Sequence, residues 1–114
     1  MRARDILSAF GFRLRRPDTW FIAEPKGTVY FKYASKSLRG LIEAIVPRPP
    51  DKLNHESVKS WANKCLVVAH GKIEPEDLVK AAFAAYKLPL TRELFEIFVQ
   101  ACRDDNRLHL IKRW

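Results

Sequence analysis

The chain has 114 residues, 47% hydrophobic and 30% charged, a balance that predicts one globular domain and excludes a disordered chain. No apolar stretch approaches the length of a membrane span and no signal peptide opens the sequence, so we expect a soluble, cytoplasmic protein. The 21 basic and 13 acidic residues give a net charge of +8, which favours a polyanionic partner such as nucleic acid.

The first third of the chain predicts a short helix followed by three strands. Apolar residues on one side of Ala3–Phe10 favour a helix that ends at Gly11. The strands are expected at Phe12–Arg15, Trp20–Ala23 and Thr28–Ala34, and the turn between the last two at Glu24-Pro25-Lys26-Gly27.

The middle of the chain predicts two helices on either side of a proline-rich segment. Leu38, Leu41, Ile42 and Ile45 have the spacing of one helical face, and Pro47, Pro49 and Pro50 end this helix. Asn54 is expected to cap a short helix that runs through Val58 and Trp61.

The apolar run Cys65–Ala69 predicts a buried strand, and the segment Pro75–Tyr86 predicts a helix. Pro75 suits the first turn of a helix, and acidic residues at its start suit the helix dipole. Both cysteines, Cys65 and Cys102, lie in apolar runs and are expected to be buried free thiols.

The C-terminus predicts a β-hairpin. The apolar run Leu94–Cys102 leads through the polar turn Arg103–Arg107 into a second run, Leu108–Trp114. Leu94, Phe95, Phe98 and Cys102 also have helical spacing, so a helix is the alternative for the first run. With the strand interpretation, the fold is a small three-layer α/β domain with a mixed sheet of about five strands.

Two groups of residues carry possible chemistry. Asp18, Glu24 and Lys26 imitate the acidic and lysine residues of a metal-dependent nuclease. The favoured interpretation is solvated turn charges, because Pro25 and Gly27 place the pair in a turn that does not hold the side chains rigidly. The three histidines are scattered and no Cys or His has zinc-ligand spacing, so we predict no catalytic residue, metal or cofactor in this chain.

Aromatic residues alternate with cations in the predicted strands. Trp20, Tyr30 and Tyr33 lie among several arginines and lysines, a composition that can stack on and neutralise single-stranded RNA or DNA. The alternative is that these aromatic residues pack the core.

The segment KCLVVAHGKIEPEDLVKAAFAAYKLPLTRELFEIFVQACRDDNRLHLIKRW resembles the C-terminal half of the archaeal tRNA-intron splicing endonuclease family. That family has a strand, a helix, a strand, an acidic loop and a final strand in this order. Residues 36–61 do not match the family pattern, so we expect a single domain, 1–114, with a divergent or inserted segment there. The high content of Lys, Arg and Glu also favours a thermophilic source.

The resemblance implies a non-catalytic subunit. The family cleaves RNA with a Tyr, a His and a Lys, but Arg92 stands at the lysine position and no histidine has the correct register. The implied function is that of the structural subunit in a heterotetrameric endonuclease. Its catalytic partner subunit would cleave pre-tRNA introns at bulge-helix-bulge sites.

The same resemblance implies an assembly surface at the C-terminus. The subunit interface is expected to include Asp104 and Asp105, which would dock on a basic groove, and a terminal strand containing Leu108, Leu110 and Trp114. Arg107 or Arg113 would contact RNA.

Overall fold

The computed structural model describes the backbone of residues 2–16, 19–24, 27–32, 38–69 and 73–105, and the side chains of residues 2–13, 39–69 and 73–105. These ranges contain five helices and three strands. In chain order they are α1 (Ala3–Ala9), β1 (Arg13–Arg16), β2 (Thr19–Glu24), β3 (Gly27–Lys32), α2 (Leu38–Ile45), α3 (His55–Val68), α4 (Pro75–Ala85) and α5 (Arg92–Asp104).

The predicted mixed sheet of about five strands is wrong. Within the described ranges the only sheet is antiparallel, with three strands in the order β1-β2-β3, and the rest of the regular structure is helical. In the expected strand at Cys65–Ala69, the first four residues are the end of α3 and Ala69 is its C-cap, and the expected strand at Leu94–Cys102 lies inside α5. The part of the chain that the structure describes is therefore a helical domain with one small antiparallel sheet, not a three-layer α/β domain.

Helix α3 begins at a capping box. The Asn54 side chain accepts a hydrogen bond from the Ser57 backbone N–H at 3.0 Å, and the Ser57 hydroxyl accepts one from the Asn54 N–H at 2.9 Å. The predicted Asn54 cap is thus confirmed, but the helix is much longer than expected. Its length follows from one continuous apolar stripe, formed by the buried residues Val58, Trp61, Ala62, Cys65 and Leu66.

Helix α5 begins at Arg92 and is capped by Thr91, whose side chain accepts a hydrogen bond from the Leu94 N–H at 3.2 Å. Phe98, Val99, Ala101 and Cys102 are its buried residues, at positions that share one helical face. The intrinsic strand preference of Phe, Ile and Val is overridden here, because the helix buries Phe98 completely.

Three aromatic rings from three helices form the centre of the core. The Trp61 ring centroid lies 5.3 Å from that of Phe83 and 5.7 Å from that of Phe98, and the Trp61–Phe98 pair is T-shaped. Such edge-to-face geometry suits the ring quadrupoles. The cluster joins α3, α4 and α5 into one hydrophobic core.

The helices predicted near Ala3, Leu38 and Pro75 are confirmed as α1, α2 and α4, and Pro75 occupies the first turn of α4 as expected. The segment 36–61 includes α2 and the first half of α3. Its residues Ile42, Val58 and Trp61 belong to the core.

Residues 46–50, here called the proline strap, connect α2 to the loop before α3. Two buried or half-buried aromatic side chains hold the strap: the Trp61 Nε1–H donates to the Pro47 carbonyl at 2.9 Å, and the Tyr86 hydroxyl donates to the Val46 carbonyl at 2.6 Å. Three prolines fix φ along the strap, so few conformations compete with this one.

Candidate nucleic-acid interface

The register of the sheet divides its residues between two faces. Phe21 pairs with Arg13 on one side and with Tyr30 on the other, so these three residues form one cross-strand row. Thr19 likewise pairs with Arg16 and with Lys32 and forms a second row on the same face. The side-chain period of two places the rows about 6.8 Å apart along the strands.

We call this face the basic sheet face, and the exposed side chain of Arg13 lies on it. It contains two aromatic residues in adjacent register, three cations and no acidic residue. Its members are Arg13, Arg16, Thr19, Phe21, Ala23, Thr28, Tyr30 and Lys32.

The opposite face is mainly apolar. The pairs Trp20–Phe31 and Ile22–Val29 lie on it, together with Leu14 opposite Trp20. Phe12, which directly precedes β1 and is 3% exposed, lies on the side of Leu14 by backbone alternation. This face therefore has the same apolar character as the buried residue Phe12 that precedes it.

The register corrects the predicted aromatic surface. Trp20 and Tyr30 were grouped on one nucleic-acid-binding surface, but Trp20 pairs with Phe31 whereas Tyr30 pairs with the neighbouring Phe21. Trp20 and Tyr30 therefore lie on opposite faces. Tyr33, the third member of that group, lies outside the described residues. Phe21 replaces Trp20 as the aromatic neighbour of Tyr30.

The charge of the chain is concentrated where this sheet lies. Residues 1–36 contain eight basic and three acidic residues, a net charge of +5, out of +8 for the whole chain. Among the described helices, several cations are neutralised by acidic partners: Arg39 by Glu43 at 3.1 Å, and Arg92 by Glu96 at 3.4 Å. The strands themselves contain few carboxylates that could pair with their cations, because Glu24 is the only acidic residue in β1–β3.

The predicted hairpin turn at Asp104 and Asp105 is wrong. Asp104 is the last residue of α5, where its Oδ1 accepts a hydrogen bond from the Gln100 side chain at 2.9 Å, and Asp105 is the C-cap. Leu108, Leu110 and Trp114, and the RNA-contact residues Arg107 and Arg113, lie outside the described residues. The subunit interface and the arginine contacts stay predictions.

The residues of the nuclease alternative are not brought together in the described structure. Glu24 is the last residue of β2 and pairs with Gly27, whereas Asp18 and Lys26 lie outside the described residues. No group of three metal-ligating side chains is present in the part of the chain that the structure describes. His55, the first residue of α3, is exposed beside Glu56.

The two cysteines are buried free thiols, as predicted. Burial raises the pKa of the Cys102 thiol to about 12, and the nearby Asp105 carboxylate adds to this effect. Burial also raises the pKa of the Cys65 thiol well above its usual range, with a smaller contribution from Cys102. Neither thiol is suited to nucleophilic or redox chemistry, because the reactive species is the thiolate.

Comparisons with protein-family models, with curated proteins and with solved structures find no match for this chain. The splicing-endonuclease resemblance therefore stays a hypothesis, and two of the strands on which it was based, at 65–69 and 94–102, are helical in the structure. None of the helices within the described ranges is long and apolar enough to cross a membrane.

Proposed function

We propose that this chain is a single-stranded nucleic-acid-binding module, and that the basic sheet face makes the contact. The observation that carries the proposal is the row Arg13–Phe21–Tyr30, which places two aromatic residues side by side and a cation at their edge. Stacking of a base on an aromatic side chain contributes about 1–3 kcal/mol and tolerates any base, because every base has a π face.

The cations on this face supply the electrostatic part of the binding. Arg13, Arg16 and Lys32 lie on either side of the aromatic pair in the two rows. Neutralising backbone phosphates releases condensed counterions, so the affinity depends steeply on salt. A duplex hides its bases within the stack, and the two aromatic residues then have nothing to stack on. This module therefore prefers single strands.

Fluorescence anisotropy with a labelled oligo(dT) or oligo(U) of about twelve nucleotides tests the proposal. The double variant Phe21→Leu with Tyr30→Leu keeps apolar bulk on the strands but removes both π faces. We expect it to weaken binding by about tenfold or more and to leave the salt slope unchanged, since stacking does not release counterions.

A second double variant, Arg13→Gln with Lys32→Gln, separates charge from stacking. It is expected to reduce the slope of log affinity against log salt by about 1.4, which is about 0.7 for each of two lost phosphate contacts. The matched control is Lys59→Gln with Lys80→Gln, which removes the same charge from exposed positions on α3 and α4. The proposal would be contradicted by an equal reduction of the salt slope in the two charge variants, or by an unchanged affinity of the leucine variant.

A further inference from the structure

A polar groove separates the proline strap from helix α3. It has a volume of about 390 Å³, within the range of small-ligand sites. One wall is formed by residues 48–51 and the other by one face of α3. The lining residues are Arg48, Pro49, Pro50, Asp51, Ser57, Ser60, Trp61 and Lys64.

The α3 wall is a single stripe of side chains. Ser57, Ser60 and Lys64 follow the spacing i, i+3, i+7, which places them on one helical face over two turns. The Ser57 hydroxyl is occupied by the helix cap, where it donates to backbone carbonyls before α3. Ser60 and Lys64 are exposed and supply the hydrogen-bond donors of this wall.

The opposite wall, residues 48–51, follows a part of the proline strap that is held by hydrogen bonds within the chain. The hydrogen bonds from Trp61 to the Pro47 carbonyl and from Tyr86 to the Val46 carbonyl hold the strap just ahead of Arg48. Pro49 and Pro50 restrict the backbone that follows. A wall held in this way loses little conformational entropy when a ligand binds.

The groove has two cations, Arg48 and Lys64, and one carboxylate, Asp51. Arg48 and Lys64 form no ion pair within the described residues, unlike Arg39, Arg92 and Arg103, each of which has an acidic partner. Arg48 and Lys64 stand on opposite walls, so an anion in the groove meets a donor from each side.

The Asp51 carboxylate restricts which anions are suited to the groove. A carboxylate in the lining repels a bare phosphate, but it accepts a hydrogen bond from a hydroxyl group. We propose that the groove binds a sugar phosphate: Arg48, Lys64 and the Ser60 hydroxyl hold the phosphate, and Asp51 accepts from a sugar hydroxyl. The same chemistry is offered by a free nucleotide and by a ribose phosphate at the end of an RNA strand. This site is separate from the basic sheet face.

Titration of the ¹⁵N-labelled chain with ribose 5-phosphate, followed by two-dimensional NMR, tests this site. We expect saturable shifts confined to the amides of Arg48, Asp51 and residues 57–64 and to the Trp61 indole N–H. Arg48→Gln with Lys64→Gln should weaken binding by about tenfold or more, because two charge-assisted hydrogen bonds are lost. The charge-matched control, Lys59→Gln with Lys80→Gln, should leave it unchanged, as should the leucine variant of Phe21 and Tyr30.

Asp51→Asn tests the selection of the ligand. It should bind inorganic phosphate more tightly than the wild type, because the repelling charge is removed. Asp51→Ala, which also removes the hydrogen-bond acceptor, should lose the preference for ribose 5-phosphate over inorganic phosphate. Competition by a 5′-phosphorylated RNA oligonucleotide would identify a strand end as the source, and its absence would identify a free nucleotide or sugar phosphate. Shifts scattered over all lysines, no saturation, or equal affinities in the two charge variants would overturn the proposal; thermal melts of each variant confirm that it is folded.

Discussion

Replacing Trp61 with phenylalanine is expected to destabilise the fold by about 2–3 kcal/mol. The substitution removes the hydrogen bond from Nε1 to the Pro47 carbonyl, which contributes about 1 kcal/mol. The smaller ring also leaves unfilled volume beside Phe83 and Phe98, which costs about 1–2 kcal/mol more because Trp61 is only 2% exposed.

The hydrogen bond can be separated from the packing by a second anchor. Tyr86→Phe removes only the hydroxyl that donates to the Val46 carbonyl, and it should cost about 1 kcal/mol. Because Val46 and Pro47 are consecutive, releasing one carbonyl loosens the other. The double variant should therefore cost less than the sum of the single variants, by about 0.5 kcal/mol or more.

Urea unfolding followed by far-UV circular dichroism measures these energies without relying on tryptophan emission. The matched control is Phe98→Leu, which disturbs the same ring cluster but leaves both strap donors, and which should combine additively with Tyr86→Phe. A cost below about 0.5 kcal/mol for Trp61→Phe, or strict additivity of the two strap substitutions, would refute the reasoning that these side chains hold the proline strap.

Three further predictions test the helical fold and its buried groups. Thr91→Ala should lower the free energy of unfolding by about 1 kcal/mol and Thr91→Asn should restore it, since the lost group is the acceptor for the Leu94 N–H; equal stability of both variants in urea would contradict the cap. Cys65 and Cys102 should react with a thiol reagent only as fast as the protein opens, so the labelling rate should rise with urea; rapid labelling of the native protein would contradict their burial. Burial raises the pKa of Tyr86 in the folded state, so its contribution to stability is complete below the unfolded pKa of about 10 and is lost as the pH rises through the folded pKa; Tyr86→Phe should therefore lose less stability than the wild type between pH 9 and 11, and identical pH profiles would oppose this.

The helices that the sequence predicted correctly are those with a start signal and an uninterrupted apolar face. Pro75 opens α4 and the Leu38–Ile45 spacing defines α2. Cys65–Ala69 was misassigned because it was considered as an isolated apolar run. Continued from Val58, the same residues extend one stripe along α3, and Val67 is 50% exposed, as it would not be in a buried strand.

The misassignment of α5 has a different physical cause. Its Phe, Ile and Val residues favour a strand locally. Whether such residues form a strand or a helix is decided by their packing against the rest of the molecule. Thr91 is a typical helix N-cap residue, and the strand prediction did not take it into account. What the sequence could not provide is the position of Phe98 against Trp61, a contact between residues far apart in the chain that makes the helix the better way to bury that ring.

Part of the basic sheet face could have been predicted from the sequence. Once Glu24 and Gly27 are recognised as the ends of a turn with two residues between them, the pairing of β2 with β3 is fixed by counting outward, which gives Phe21 opposite Tyr30. The pairing of β1 could not be counted in this way, because the register shifts between Leu14 and Arg16.

The distribution of acidic residues along the sequence supports the sheet as the proposed contact surface. Three arginines on the described helices have carboxylate partners four residues away or on a neighbouring helix: Arg39 with Glu43, Arg92 with Glu96 and Arg103 with Glu76. A neighbouring carboxylate reduces the local attraction for a polyanion. On the basic sheet face, the cross-strand partners of Arg13 and Lys32 are Phe21 and Thr19, neither of which is an acidic residue. A polyanion approaching this molecule gains most where its phosphates meet cations and its bases meet aromatic residues, and the sheet register brings those two groups together in one row.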